Sequence, residues 1–188
     1  MKRVFIVHGW GGHPGECWFP WLKQELEARK YVVQILTMPN TNHPTIQEWI
    51  AYLQQQVKKP DQDTYFVGHS IGCQTIMRYL EQITEKIGGA VFVGGFFHLT
   101  GLTTDEEQAI AKPWIETPID LDKVKQTTKH FVAILSDNDP FVPLTNQDIF
   151  KKKLGATIII EKNKGHLNDE SNTKQLPSAL HALLTICR

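Results

Sequence analysis

The segment Thr64-Tyr65-Phe66-Val67-Gly68-His69-Ser70-Ile71-Gly72 restricts the fold more than any other stretch of the chain. Four strand-favouring residues run straight into Gly-x-Ser-x-Gly, and a helix-forming segment, Thr75-Ile76-Met77-Arg78-Tyr79-Leu80, follows at once. A strand that becomes a helix within so few residues lifts the serine above the end of a sheet on strained backbone. Side chains at positions 68 and 72 would collide with the neighbouring strand or helix, which explains both glycines. The bare pentapeptide arises by chance, and its bland alternative is an ordinary strand-loop-helix turn. The strand before it and the helix after it give it the form of a nucleophile elbow.

The same alternation runs through the chain. Val4 to Val7 is an unbroken apolar run, the pattern of a parallel strand buried on both faces. Tyr31 to Leu36, Ala90 to Val93, His130 to Leu135 and Thr157 to Ile160 read as further strands. Between them, a helix over 18–29 carries Trp18, Trp21, Leu22 and Leu26 on one side, with Pro20 in its first turn. Thr45-Ile46-Gln47-Glu48 is a capping box, and Ile46, Trp49, Ile50, Leu53 and Val57 follow at helical spacing. The elbow helix extends to about Lys86, and another helix runs from about Thr145 to Leu154, stopped by Gly155. A last one presents Leu176, Leu180, Leu183 and Leu184 on one face. The expectation is an α/β class: a six-stranded, mainly parallel sheet in the middle of three layers, with helices on both faces.

The 188 residues fit one domain, 1–188, with no internal repeat or linker. Residues 96–128 break the rhythm. Thr104-Asp105-Glu106-Glu107 caps a short helix that Pro113 ends, and Asp120 to Lys125 offers another turn or two. Such an insertion lies over the strand ends near Ser70, or it is a plain surface connection.

Composition removes several function classes. Twenty basic residues balance twenty acidic ones, so nothing draws the chain to nucleic acid or an anionic membrane. No apolar run approaches the ~20 residues of a membrane span. The apolar run after Met1-Lys2-Arg3 is too short for a signal peptide and reads as the first strand. Cys17, Cys73 and Cys187 are widely spaced and odd in number, which implies no disulfide framework and a reduced, cytoplasmic protein. The glycine-rich loop His8-Gly9-Trp10-Gly11-Gly12-His13-Pro14-Gly15 invites a dinucleotide reading. G-x-G-x-x-G from Gly9 would need glycine where Pro14 stands, and the second strand runs into Thr37-Met38-Pro39 rather than an acid. That site is rejected. The loop's other use is to offer a backbone N–H to a developing oxyanion.

In open α/β sheets, catalytic groups gather beyond the carboxyl ends of the strands. Three strand exits carry Ser70, Asp139 and His166. Ser…Asp…His is the chain order of α/β-hydrolases. A serine hydroxyl is a poor nucleophile near neutral pH, so His166 would take its proton during attack and return it later. Asp139 would hold the His166 imidazole in one tautomer. Oxyanion donors would be the N–H of Ile71, directly after the serine, and the N–H of Trp10. Taken singly, a histidine in a loop is usually solvated and an aspartate before proline usually makes a turn; together, at strand exits in this order, they point to nucleophilic catalysis.

His8-Gly9, Gly68-His69-Ser70-Ile71-Gly72, Asp139-Pro140-Phe141-Val142-Pro143 and Gly165-His166 together resemble the small serine hydrolases related to retinoblastoma-binding protein 9 and bacterial YdeN. The likeness extends from the first strand to the last helix and includes Lys112-Pro113-Trp114. It implies a minimal three-layer α/β-hydrolase fold, a Ser70-Asp139-His166 triad and no cofactor. One departure is Ser136, where the wider hydrolase pattern Gly-x-x-Asp begins with glycine; Asp137, two residues away, is the competing acid.

The leading function is therefore a serine hydrolase of the carboxylesterase type, cleaving small-molecule esters or amides. The alternative is a binding protein that carries the triad but little uses it, since fold alone does not establish turnover. A metal hydrolase is a third reading, but His8, His13, His43, His69 and His98 have no recognised ligand spacing. No metal is expected, and no protein partner can be named. Trp10, Phe97, Trp114 and Phe141 are candidates to narrow the acyl pocket, although large aromatics more often belong to the core.

Overall fold

A computed structural model describes residues 1–187. Six strands form one sheet in the order β2-β1-β3-β4-β5-β6, all neighbours parallel. They are β1 (Arg3–Val7), β2 (Val32–Ile35), β3 (Thr64–His69), β4 (Gly89–Val93), β5 (Phe131–Ser136) and β6 (Thr157–Glu161). The central strands are buried throughout because helices cover both faces, and this explains their unbroken apolar runs.

Strand side chains alternate between faces with period two, and the core divides accordingly. On one face Phe5, Val7, Phe66, Phe92 and Leu135 pack with Trp49, Leu53, Met77 and Phe150. These come from α2 (Ile46–Val57), α3 (Ile71–Leu80) and the segment after α6 (Asn146–Ile149). On the other face Val4, Ile6, Val67, Val91, Val93 and Ile134 meet Trp18, Leu22, Leu26, Ala179 and Leu183. Trp18 immediately precedes α1 (Phe19–Glu27), and the rest of that set belongs to α1 and α7 (Pro177–Ile186). Each fully buried Leu, Ile or Phe contributes roughly 2 kcal/mol of transfer free energy, so both layers are needed.

Three local readings change. The elbow helix ends at Leu80, not Lys86, and turns and bends occupy 81–88 before β4. The helix expected to end at Pro113 continues: α4 spans Asp105–Glu116 with the proline inside it. Proline removes one backbone donor there, but Trp114, just beyond it, is buried against Trp49 and donates its indole N–H to the Pro44 carbonyl at 3.1 Å. The guanidinium of Arg78, itself buried on α3, then takes the carbonyls of Trp114 at 3.1 Å and Thr117 at 2.7 Å. Tertiary packing and a cap supplied from another helix hold the last turn in place. The 145–154 helix is α6 followed by a π-helical turn, Phe150–Leu154, ended at Gly155. α5 (Leu121–Thr127) is capped by Asp120, whose carboxylate accepts the Lys123 N–H at 3.1 Å.

Candidate active site

Ser70 stands between β3 and α3 with φ 52° and ψ −120°, a region that a non-glycine residue occupies only under strain. The crowding that imposes it is visible at the glycines. A Cβ on Gly68 would lie 2.7 Å from the Cys73 nitrogen, and one on Gly72 would strike the Val7 carbonyl of β1. Only glycine lets the helix start so close to the sheet. The Ser70 N–H is anchored on the Val93 carbonyl at 2.9 Å.

Asp139 and His166 meet across two other strand exits. His166 Nδ1 lies 2.8 Å from Asp139 Oδ2. The other carboxylate oxygen, Oδ1, accepts the N–H groups of Phe141 at 2.9 Å and Val142 at 3.0 Å. The aspartate side chain is 1% exposed and the histidine side chain 11%. A carboxylate so enclosed and so fully hydrogen-bonded is a fixed acceptor.

The competing acid has another partner. Asp137 Oδ1 accepts the Asn163 N–H at 2.8 Å. Ser136 Oγ and Asn138 Oδ1 accept the N–H groups of Lys164 at 3.1 Å and Gly165 at 2.8 Å. Residues 136–138 thus fasten the β5 exit to the loop after β6, and Asp139 reaches His166 itself. Ser136, the departure from the hydrolase pattern, has a place in that fastening.

Ser70 and His166 line one cavity of about 500 Å³ with Gly9, Trp10, Leu99, Leu102 and Phe141. Glu16, Glu107, Asp169 and Glu170 give its rim a negative character. Gly9 lies against Ser70: a Cβ there would sit 3.3 Å from Ser70 Cβ. The backbone N–H groups of Trp10 and Ile71 have no acceptor among the described residues.

Of the four aromatics expected around the acyl pocket, the cavity takes in Trp10 and Phe141 but not Phe97 or Trp114. Phe97 packs on Phe150 with ring centres 4.8 Å apart and the rings tilted by 55°, over the helical layer. Trp114 is fully buried between α2 and α4. Trp114 is core and Phe97 is half-buried against that core, because 99–107 and not the later part of the insertion crosses the cavity. That stretch is pinned to the aspartate's loop by Thr100 N–H to the Phe141 carbonyl at 2.9 Å. Fully buried Asn146 assists from below, accepting the N–H groups of Phe97 and His98 and donating to the carbonyls of His98 and Pro143.

Two histidines weighed above only as metal ligands and as motif residues have structural roles that the sequence does not display. His69 is buried at the cavity wall; burial first, and its neighbour His166 second, push its pKa down to about 3. Its Nε2 is 2.8 Å from the His166 carbonyl, so the neutral ring donates there and ties the end of β3, beside Ser70, to the loop that carries His166. Trp18 holds the next carbonyl, Leu167, at 2.9 Å, and Ser171 Oγ accepts the His166 N–H at 3.0 Å. His8 is fully buried beneath the Gly9-Trp10 loop. Among the described residues no group of three His, Cys, Asp or Glu side chains could hold a metal ion, and no helix is long and apolar enough to cross a membrane.

Comparison with known proteins places this geometry in context. YdeN of Bacillus subtilis is 30% identical over 94% of this chain and 91% of its own length. Its crystal structure superposes with a TM-score of 0.89 over 99% of this chain and 98% of that one. The serine hydrolase RBBP9 of Rattus norvegicus is 24% identical over 89% of this chain and 88% of its own length. Est1E of Butyrivibrio proteoclasticus, 18% identical, shares the fold with a TM-score of 0.73 over 98% of this chain and 88% of that one. The serine hydrolase family model matches residues 4–185, and the chain belongs to that family.

Proposed function

We propose that this hydrolase cleaves small carboxylic esters through an acyl-enzyme on Ser70, with amides open to the same chemistry. The observation that carries the reading is the 2.8 Å contact of His166 Nδ1 with Asp139 Oδ2, beside a serine on strained backbone in the same cavity. The carboxylate accepts the Nδ1 proton, which leaves Nε2 as the lone-pair nitrogen able to take a proton from Ser70. Ser70 Oγ attacks the carbonyl carbon, its proton passes to His166 Nε2, and the alkoxide leaves with that proton. Water then repeats the sequence on the acyl-enzyme and releases the acid. Negative charge on the carbonyl oxygen would be met by the N–H groups of Ile71 and Trp10, each worth roughly 3 kcal/mol to the transition state. No cofactor enters these steps, and the substrate is a small molecule rather than a nucleic acid or a membrane. We assign the protein to the cytoplasm on its three buried, unpaired thiols.

A fluorophosphonate reacts with an activated serine. The wild-type chain is expected to take up one equivalent and Ser70→Ala none while staying folded. Absence of labelling in the wild type would leave a binding protein on a hydrolase fold, and undiminished labelling of Ser70→Ala would remove Ser70 from its role.

A further inference from the structure

We infer that His8 is a positioning residue: its buried imidazole orients the Gly9–Trp10 peptide so that the Trp10 N–H faces the cavity at Ser70. The inference rests on the proposed function, in which that N–H meets the oxyanion, and adds the residue that aims it.

Both ring nitrogens of His8 are engaged. Nδ1 lies 2.8 Å from the Gly9 carbonyl oxygen, and Nε2 lies 3.2 Å from the Met38 backbone nitrogen. A carbonyl only accepts and a backbone N–H only donates, so the partners dictate the tautomer: hydrogen on Nδ1, lone pair on Nε2. Burial keeps the ring neutral by lowering its pKa. Trp49 meets the ring edge-on at 5.6 Å and closes it in from the helical layer.

The Gly9 carbonyl and the Trp10 N–H belong to one peptide unit, and no peptide bond among the described residues is cis. In a trans peptide these two groups point in opposite directions. The carbonyl faces inward, to His8 and to the Gly12 N–H at 3.2 Å. The Trp10 N–H therefore faces outward. Gly9, Trp10 and Ser70 line the cavity there, whereas His8 does not. Rotation of this one peptide would turn a carbonyl oxygen toward the developing oxyanion, replacing attraction with repulsion. Through Nε2 the ring also fixes the loop to the exit of β2, so His8 joins two strand ends at the point where the donor is aimed.

Two variants separate aiming from simple bracing. Asparagine sets its amide nitrogen near the place of histidine Nδ1, and glutamine sets its amide near Nε2. His8→Asn therefore keeps a donor to Gly9 and loses Met38, while His8→Gln keeps a partner for Met38 and loses Gly9. We expect His8→Gln to lose kcat by as much as the ~10²–10³-fold of a missing oxyanion donor, with KM little changed. His8→Asn should retain about tenfold more kcat than His8→Gln, and a trifluoromethyl ketone, which mimics the tetrahedral intermediate, should weaken in parallel with kcat. Equal losses in the two variants, or a change confined to KM, would overturn the inference. Should either variant fail to fold, the wild-type protein decides by nitrogen-15 NMR. The hydrogen should be on Nδ1 of His8, and the Trp10 amide should move downfield when the trifluoromethyl ketone binds. A hydrogen on Nε2 or an unmoved Trp10 amide would overturn it. A wild type that neither turns over esters nor takes the fluorophosphonate would instead refute the proposed function, so the two failures are distinguishable.

Discussion

Replacing Asp139 by asparagine should disable the site without disturbing the fold, and the structure says how. Asp139 Oδ1 accepts two backbone N–H groups, from Phe141 and Val142, while Oδ2 faces His166 Nδ1. An amide group has one acceptor oxygen and one donor nitrogen. The two backbone donors can be satisfied only if the oxygen takes the Oδ1 place, so the NH₂ must face His166. Nδ1 then has to present its lone pair, the hydrogen moves to Nε2, and the ring can no longer accept the Ser70 proton. The tautomer is wrong by construction, and the known cost of that error in serine hydrolases is about 10⁴-fold in kcat, or ~5.5 kcal/mol. Asp137→Asn is the control: Asp137 accepts only the Asn163 N–H through its side chain, and an amide oxygen does the same. Its turnover should stay within about threefold of wild type, since surface substitutions rarely exceed ~0.5 kcal/mol. Steady-state hydrolysis of a nitrophenyl ester measures both, with melting temperature confirming the fold. Asp139→Asn retaining a tenth of wild-type activity, or the reverse ranking of the two variants, would refute the tautomer reasoning.

Acid should destabilise the fold through its buried histidines. His69 in the folded chain titrates near 3, against 6.5 for a free imidazole, and His8 is also lowered, in both cases chiefly by burial. Between pH 6.5 and about 3 the unfolded chain binds protons that the folded chain refuses. Stability is then lost at up to ~1.4 kcal/mol per pH unit through His69, and His8 acts in the same direction; urea midpoints should fall over this window, and a flat profile would contradict the burial. Cys17 lines the cavity, but burial pushes its thiol up to about 12, so iodoacetamide at pH 8 should leave it unmodified; rapid alkylation would show a more open cavity. The about 500 Å³ cavity with Trp10 and Phe141 in its wall should favour compact acyl groups. Rates along a nitrophenyl ester series should rise by up to ~0.8 kcal/mol per methylene and then drop. Fastest turnover of long chains, with a jump above their micellar concentration, would indicate a lipase instead.

Much of this was legible in the chain because local pattern and tertiary role coincide. Gly68 is required by crowding inside the strand-to-helix turn and Gly72 by the close approach of β1, and the Gly-x-Ser-x-Gly spacing carries both constraints within nine residues. The strand exits bearing Asp139 and His166 could be ordered along the chain, since a parallel sheet brings its carboxyl ends together. What failed depends on which way a side chain faces. Their position after β4 puts Trp114 and Phe97 near the cavity, but their rings turn to Trp49 and Phe150. Pro113 reads as a helix end because propensity sees the missing N–H and not the distant Arg78. Asn146 and His8 carried no periodic signal. Their importance lies in satisfying backbone groups of other segments, which only the folded chain displays.

The covalent intermediate is the most direct test. Rapid mixing with p-nitrophenyl acetate should release a burst of nitrophenolate equal to the enzyme concentration, followed by slower steady turnover. Acid quenching within the burst, proteolysis and mass spectrometry should find the acetyl group on the peptide bearing Ser70. An acetyl group on another residue, or steady turnover in Ser70→Ala at the wild-type rate, would contradict catalysis by Ser70.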